Sequence, residues 1–204
     1  MQRKPFWAMA TLVWMLALLA GCVGRAYLIV DYELPPNEQK LQGQTLRMVI
    51  KDQRSDRAIF APAAAQEFQG FKDRYSLSWK LDNGQRIVVG EYDIENLFLK
   101  TFSKRLERMG ILVTSDKQSY APEFEIILEK FKIDLRGRKW MADVIYEVSL
   151  SKDSHLIARD KITGSAERLK VIGRKGADLV LSEIFSEIIN RADIVKLFQQ
   201  AKLI

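Results

Sequence analysis

Apolar residues recur along this chain with two periods, two and about 3.6, and the switches between them mark its elements. The run Tyr27-Leu28-Ile29-Val30 predicts a first strand, which Pro35 and Pro36 break. Leu46, Met48 and Ile50 alternate within Gln44 to Lys51, and the polar stretch Asp52 to Asp56 closes this second strand. Residues 61–72, with Pro62, a run of alanines and Gly70, read as a short helix or loop. Tyr75, Leu77 and Trp79 alternate again, Asp82-Asn83-Gly84 turns the chain, and Ile87-Val88-Val89 follows, which predicts a hairpin. At Asp93 the period changes. Ile94, Leu97, Phe98, Phe102, Leu106 and Met109 share one helical face, with Asp93 placed as N-cap and Gly110 as the stop.

Ile111 to Val113 form a short strand in this pattern, and Ala121-Pro122 opens a longer one. Phe124, Ile126 and Leu128 lie on one parity, but Phe131, Ile133 and Leu135 lie on the other, so a bulge is expected near Glu129 or Lys130. Arg136 to Lys139 turn the chain, and Trp140, Ala142, Val144, Tyr146, Val148 and Leu150 then alternate without a miss. A turn at 151–154 leads into a strand from His155 to Glu167. Ala177, Val180, Leu181, Ile184, Phe185 and Ile188 mark a helix, and a last short helix follows from Ile194 to Ala201. The order of elements predicts the α+β class: an antiparallel, mixed sheet with amphipathic helices packed on one face.

Residues 1–21 follow a different rule. Arg3 and Lys4 precede an uncharged stretch from Phe6 to Leu19 that is too short to span a bilayer comfortably, and small residues close it, as in a secretory signal. Leu19-Ala20-Gly21-Cys22 resembles the lipobox of bacterial lipoproteins. The resemblance implies cleavage between Gly21 and Cys22, with Cys22, the one cysteine of the chain, alkylated by diacylglycerol and then acylated on its new amine. The alternative is an uncleaved N-terminal anchor with an incidental cysteine. In Gram-negative lipoproteins an aspartate straight after the cysteine retains the protein at the inner membrane; Val23 stands here, which implies the periplasmic face of the outer membrane. The expected organisation is signal peptide 1–21, lipidated tether 22–26 and a single α+β domain over 27–204. Four residues, Val23 to Ala26, reach about 14 Å, so the domain is expected to sit directly on its membrane.

Charge changes this picture only slightly. The formal +6 falls to about +4 once Arg3 and Lys4 leave with the signal, a surplus that favours anionic headgroups but, in an exported protein, not nucleic acid. With its thiol consumed by lipid the domain has no disulfide to form, and packing must supply its stability.

Three segments together resemble the uncharacterised YajG family of bacterial lipoproteins. Leu41-Gln42-Gly43, the strand to Ile50 and the turn Asp52-Gln53-Arg54-Ser55-Asp56 are similar to that family's first core strand and its acidic turn. Asp93 to Val113 is similar to its amphipathic helix, with Met109 standing between Arg108 and Gly110 where the family has Arg and Gly adjacent. The meander and last helices from Phe124 to Leu203 follow the same plan, whereas Gln66 to Trp79 departs as a longer connection. The resemblance implies an envelope address and a fold, and carries no activity.

No residue set announces chemistry. His155 is the sole histidine, and its neighbours Asp153 and Ser154 cannot converge on it as orienter and nucleophile. Zinc ligands are not clustered, and Asp52, Asp56 and Asp73 lack the spacing of a calcium loop, so neither metal nor cofactor is expected. The Asp52 to Asp56 turn reads as a strand end in which Arg54 pairs with a carboxylate. Gly173-Arg174-Lys175-Gly176 reads as the flexible start of a helix; an anion cradle is the sharper alternative. Glu123, Glu125 and Glu129 read as a solvated strand face.

Arg136, Arg138, Lys139 and Trp140 make a basic turn beside an aromatic ring, suited to a membrane-proximal surface. Trp140 equally suits the first position of a buried strand face. The expected function is therefore non-enzymatic: an envelope binding or scaffold protein, held to the membrane through Cys22 and docking an envelope protein. The alternative is an auxiliary lipoprotein of a lipid or polysaccharide transport system. On that reading Phe98, Phe102, Phe124, Phe131 and Phe185 would line a groove for an amphiphile.

Overall fold

The computed structural model describes residues 26–81, 83–114, 120–153, 155–170 and 175–204; Gly21 and Cys22, and with them the signal and lipidation assignments, lie outside these. The described elements are β1 (Tyr27–Glu33), β2 (Thr45–Asp52), α1 (Pro62–Glu67), β3 (Arg74–Lys80), β4 (Arg86–Tyr92), α2 (Ile94–Arg108), β5 (Leu112–Thr114), β6 (Glu123–Arg136), β7 (Lys139–Lys152), β8 (His155–Leu169), α3 (Lys175–Arg191) and α4 (Ile194–Gln200). The protein is α+β, as the pattern of its sequence predicts.

The strands do not form one sheet. β5-β2-β6-β7-β8 make a five-stranded mixed sheet, and β1-β3-β4 make a second, three-stranded one. β1 runs parallel to β3, and β2 runs parallel to both β5 and β6. Periodicity specifies which side chains of a strand face the core but not which strand lies beside it, so these long-range parallel pairings leave no local signal. The bulge does leave one. β6 and β7 shift register between Leu128 and Lys130, and the extra residue carries Phe124, Ile126 and Leu128 and then Phe131 and Ile133 to the same buried face.

One face of the large sheet is covered by α2, α3, α4 and the small sheet. Phe98 on α2 meets Phe131, Tyr146 and Phe185 edge to face, with ring centroids 5.1–6.3 Å apart, and so joins α2 to α3 and to the large sheet. Asp93 caps α2 by accepting from the Asn96 amide at 2.8 Å, and Gly110, at φ +87°, ends the helix where a Cβ would lie 2.8 Å from the Gln42 backbone. The opposite face is laced with ion pairs between neighbouring strands, Arg47 with Glu123, Lys51 with Glu125 and Lys130 with Asp143, and this face meets water.

α3 places its apolar stripe against β7 and β8 so closely that a Cβ on Gly164 would lie 2.3 Å from Ile188. Its polar edge runs along β1. Asp178, Ser182 and Ser186 accept the amides of Ile29, Asp31 and Glu33 at 2.8, 2.9 and 3.0 Å, and Asn190 donates to the Glu33 carbonyl at 3.0 Å. Four helical residues rise about 6.0 Å and two strand residues about 6.6 Å, so polar side chains every fourth residue keep step with alternate strand amides. The helix thus acts as the missing neighbour strand of β1.

Candidate functional site

The start of β1 and the β6–β7 turn stand at one end of the domain. Lys72 donates its amide to the carbonyl of Ala26 at 3.0 Å, which fixes the first described residue beside the start of β3. A chain of rings runs on from there. Phe71 packs edge-on to Tyr75 and Phe60, Phe60 stacks on Phe68 at 4.5 Å, and Phe68 meets Trp140 at 5.6 Å. The connection from Gln66 to Trp79 supplies Phe68, Phe71 and Tyr75, most of these rings.

The basic turn is partly what the sequence implies. Arg136, Arg138 and Lys139 are exposed, but Trp140 is fully buried and so takes the core position of its two readings; it is not an interfacial ring. The helix start at Gly176 closes over it, since a Cβ there would lie 2.6 Å from the Trp140 ring. Acids answer three of the nearby cations: Arg136 pairs with Asp134 at 2.8 Å, Lys139 with Glu167 at 2.7 Å and Lys170 with Glu67 at 2.7 Å. Hydrogen bonding from Arg136 holds the Asp134 carboxyl below the usual carboxylate range. Lys72, Arg74 and Arg138 stand exposed at this end, with Asp73 among them.

The other candidates take ordinary places. His155 is exposed, its ring 2.8 Å from the Asp153 carbonyl, and Ser154 lies outside the described residues. Glu123, Glu125 and Glu129 pair with Arg47, Lys51 and Lys161. Asp52 and Arg54 form a two-pronged pair at 2.9 Å with both side chains almost fully buried, and the hydrogen bond from Arg54 lowers the Asp52 pKa. Asp56 instead pairs with Lys132 at 2.6 Å. Of Gly173 to Gly176, only the last two lie within the described residues. The five phenylalanines are core, each at most 1% exposed.

A groove of about 990 Å³ opens between α3 and the outer face of the small sheet. Charge lines it, already paired: Arg86 with Asp31 at 2.6 Å, Arg168 with Glu183 and Arg191 with Glu187. Burial raises the Asp31 carboxyl despite Arg86. Among the described residues no group of three His, Cys, Asp or Glu side chains could hold a metal ion, and no helix is long and apolar enough to cross a membrane.

The residue that sequence reasoning missed is Arg105. From inside α2 it donates to the carbonyls of Ile189, Asn190 and Ala192 at the end of α3, the second of these at 3.1 Å. A cation at an interior position of an amphipathic helix was the available signal.

By its layers the chain stands with α+β domains in which a mixed sheet carries helices and a small sheet on one face. A solved structure shares that plan: a Xanthomonas campestris protein described by the family model DUF330 is 14% identical, with a TM-score of 0.58, over 88% of this chain and 100% of that one. The likeness shows the fold. A minor lipoprotein from Acinetobacter baumannii aligns more loosely, at 11% identity and a TM-score of 0.35, over 76% of this chain and 95% of that one. No family model and no curated protein matches the chain.

Proposed function

We propose that this chain is a non-enzymatic lipoprotein of the outer membrane, fastened through triacylated Cys22, and that its domain serves at the periplasmic face as a binding or scaffold component of the envelope. The observation that carries this reading is the position of Ala26. It is tied to Lys72 at the end of the domain that bears the basic turn, and only Val23 to Ala26 separate that end from the lipobox cysteine. A tether of about 14 Å leaves the domain little freedom to swing, so this end faces the headgroups.

Magnitudes assign the anchoring to lipid. A fatty chain of about a dozen methylenes contributes about 10 kcal/mol at 0.8 kcal/mol each, whereas each exposed cation near the surface contributes about 1 kcal/mol. With three of the local cations already paired to acids, Lys72, Arg74 and Arg138 orient the domain and do not hold it.

An auxiliary role in an envelope lipid or polysaccharide transport system fits the same arrangement, with one condition set by the core. The phenylalanines that would line an amphiphile groove fill the interior, so the domain acts through surface contacts and not as a carrier.

Replacing Cys22 by Ser tests the reading. The expected result is loss of palmitate labelling and of processing at Gly21, while photocrosslinkers on the wild-type domain surface capture a defined envelope protein in intact cells. Unchanged fractionation and processing of the Ser variant would contradict the anchor, and crosslinking that yields no reproducible partner from any face would contradict the scaffold.

A further inference from the structure

The two sheets have four outer edges, and the fold closes three of them. The outer edge of β1 is occupied by the side chains of α3. β5 is three residues long. β8 is long, but Arg159, Asp160 and Lys161 stand consecutively on it, and the Arg191 guanidinium donates to its Thr163 carbonyl at 2.7 Å. Short edges, edge charges, bulges and side-chain cover are among the devices by which proteins prevent strands from adding to their sheets.

Along its middle β4 has no charge and, among the described residues, no side-chain cover, and its one such device is a single bulged residue, Val89. The strand ends the small sheet, and among the described residues no element pairs with its outer side. Ile87, Val88 and Val89 are consecutive β-branched residues, with Ile87 44% and Val88 72% exposed. Charges sit only towards its ends, Arg86 at one and Glu91 near the other.

The register of β4 determines where those charges point. Val88 pairs with Ser78 and Gly90 with Leu77, so Val89 is an extra, bulged residue. Arg86, Val88 and Glu91 therefore face Lys80, Ser78 and Ser76 and share one side of the sheet. Antiparallel addition of an identical strand about a two-fold axis at Val88 places Val88 against Val88 of the second copy, and each Arg86 opposite Glu91 of the other. Ile87 then lies opposite Gly90, against the Tyr92 ring that lies over that glycine.

We propose that the outer edge of β4 is an interface on which a second copy of this chain adds its own β4, antiparallel and centred on Val88, to make one continuous six-stranded sheet. The contact is isologous and closes at two copies. Confinement of both copies to one leaflet would raise their effective concentration, but the pairing itself does not depend on the lipid.

Cysteine crosslinking and charge exchange in the full-length chain, purified in detergent, test this. Val88→Cys should give a disulfide-linked dimer on mild oxidation; Leu156→Cys on β8, Leu112→Cys on β5 and the parent chain with Cys22 alone should not. Arg86→Glu and Glu91→Arg should each weaken sedimentation dimers about tenfold, because opposed charges become like charges across the strands. The double exchange should restore association although it still lacks the Arg86–Asp31 pair, which separates register from local damage. A chain that stays monomeric at high concentration, a double exchange that fails to restore pairing, or crosslinks from position 88 to other proteins alone would overturn the proposal.

Discussion

Arg105 shows how one residue can carry the join between two helices. Among the described residues its buried guanidinium hydrogen-bonds to carbonyls and not to a carboxylate; it answers the last carbonyls of α3, where the helix dipole concentrates partial negative charge. Burial lowers its pKa, yet a guanidinium keeps its proton, which explains why arginine and not lysine fits here. Arg105→Ala should cost about 3 kcal/mol in denaturant unfolding, since it strands buried carbonyls and opens a cavity. Arg105→Lys should recover only part of this.

Asp52 gives a pH dependence with a definite sign. Its folded pKa lies below its unfolded value of about 3.9 because Arg54 donates to it. The pair therefore stabilises fully above that unfolded value, and its contribution disappears as pH falls through the folded value. Stability measured from pH 6 down to pH 2 should decline less steeply in Asp52→Asn than in the parent, and the variant should be about 3 kcal/mol weaker at pH 6 because it leaves Arg54 buried and unpaired.

Among the elements, α3 was half legible. Its apolar stripe, Ala177 to Ile188, is visible in the sequence and is buried as expected. Its second pattern, Asp178, Ser182, Ser186 and Asn190 at every fourth residue, reads as an ordinary polar face until β1 lies against it. The reason is physical: the helix period is local, whereas the match between helix rise and strand rise involves a segment about 150 residues away. Replacing Ser182 and Ser186 together by Ala should leave two β1 amides and their carbonyl partner without side-chain cover. Hydrogen exchange at Asp31 and Glu33 should quicken by at least tenfold, with little change in β7. Equal exchange in both proteins would show that water replaces the ladder at no cost.

The bulge in β6 was legible for the opposite reason, because a change of parity within one strand is written in adjacent residues. So was the Asp93 cap. The division into two sheets was not, nor was the end-to-end relation of Ala26 and the β6–β7 turn, which rests on Phe60, Phe68 and Phe71 meeting across separate loops. The basic turn itself was over-read: nothing in Arg136 to Trp140 tells that Asp134 and Glu167 neutralise two of its cations and that the indole turns inward.

At the scale of the whole molecule the protein is a packed α+β domain, and on the proposed anchor at Cys22 its first strand would begin within one short tether of a membrane. That anchor would hold its charged sheet face, its paired groove and the open β4 edge in a fixed relation to the leaflet, as the proposed scaffold role requires. All of this depends on what is attached at residue 22. Intact mass and N-terminal fragment analysis of the chain extracted from envelopes reads that directly: the account predicts a polypeptide beginning at Cys22, heavier by a thioether-linked diacylglycerol and an amide-linked acyl chain. A chain that retains residues 1–21 with a free Cys22 thiol would contradict it.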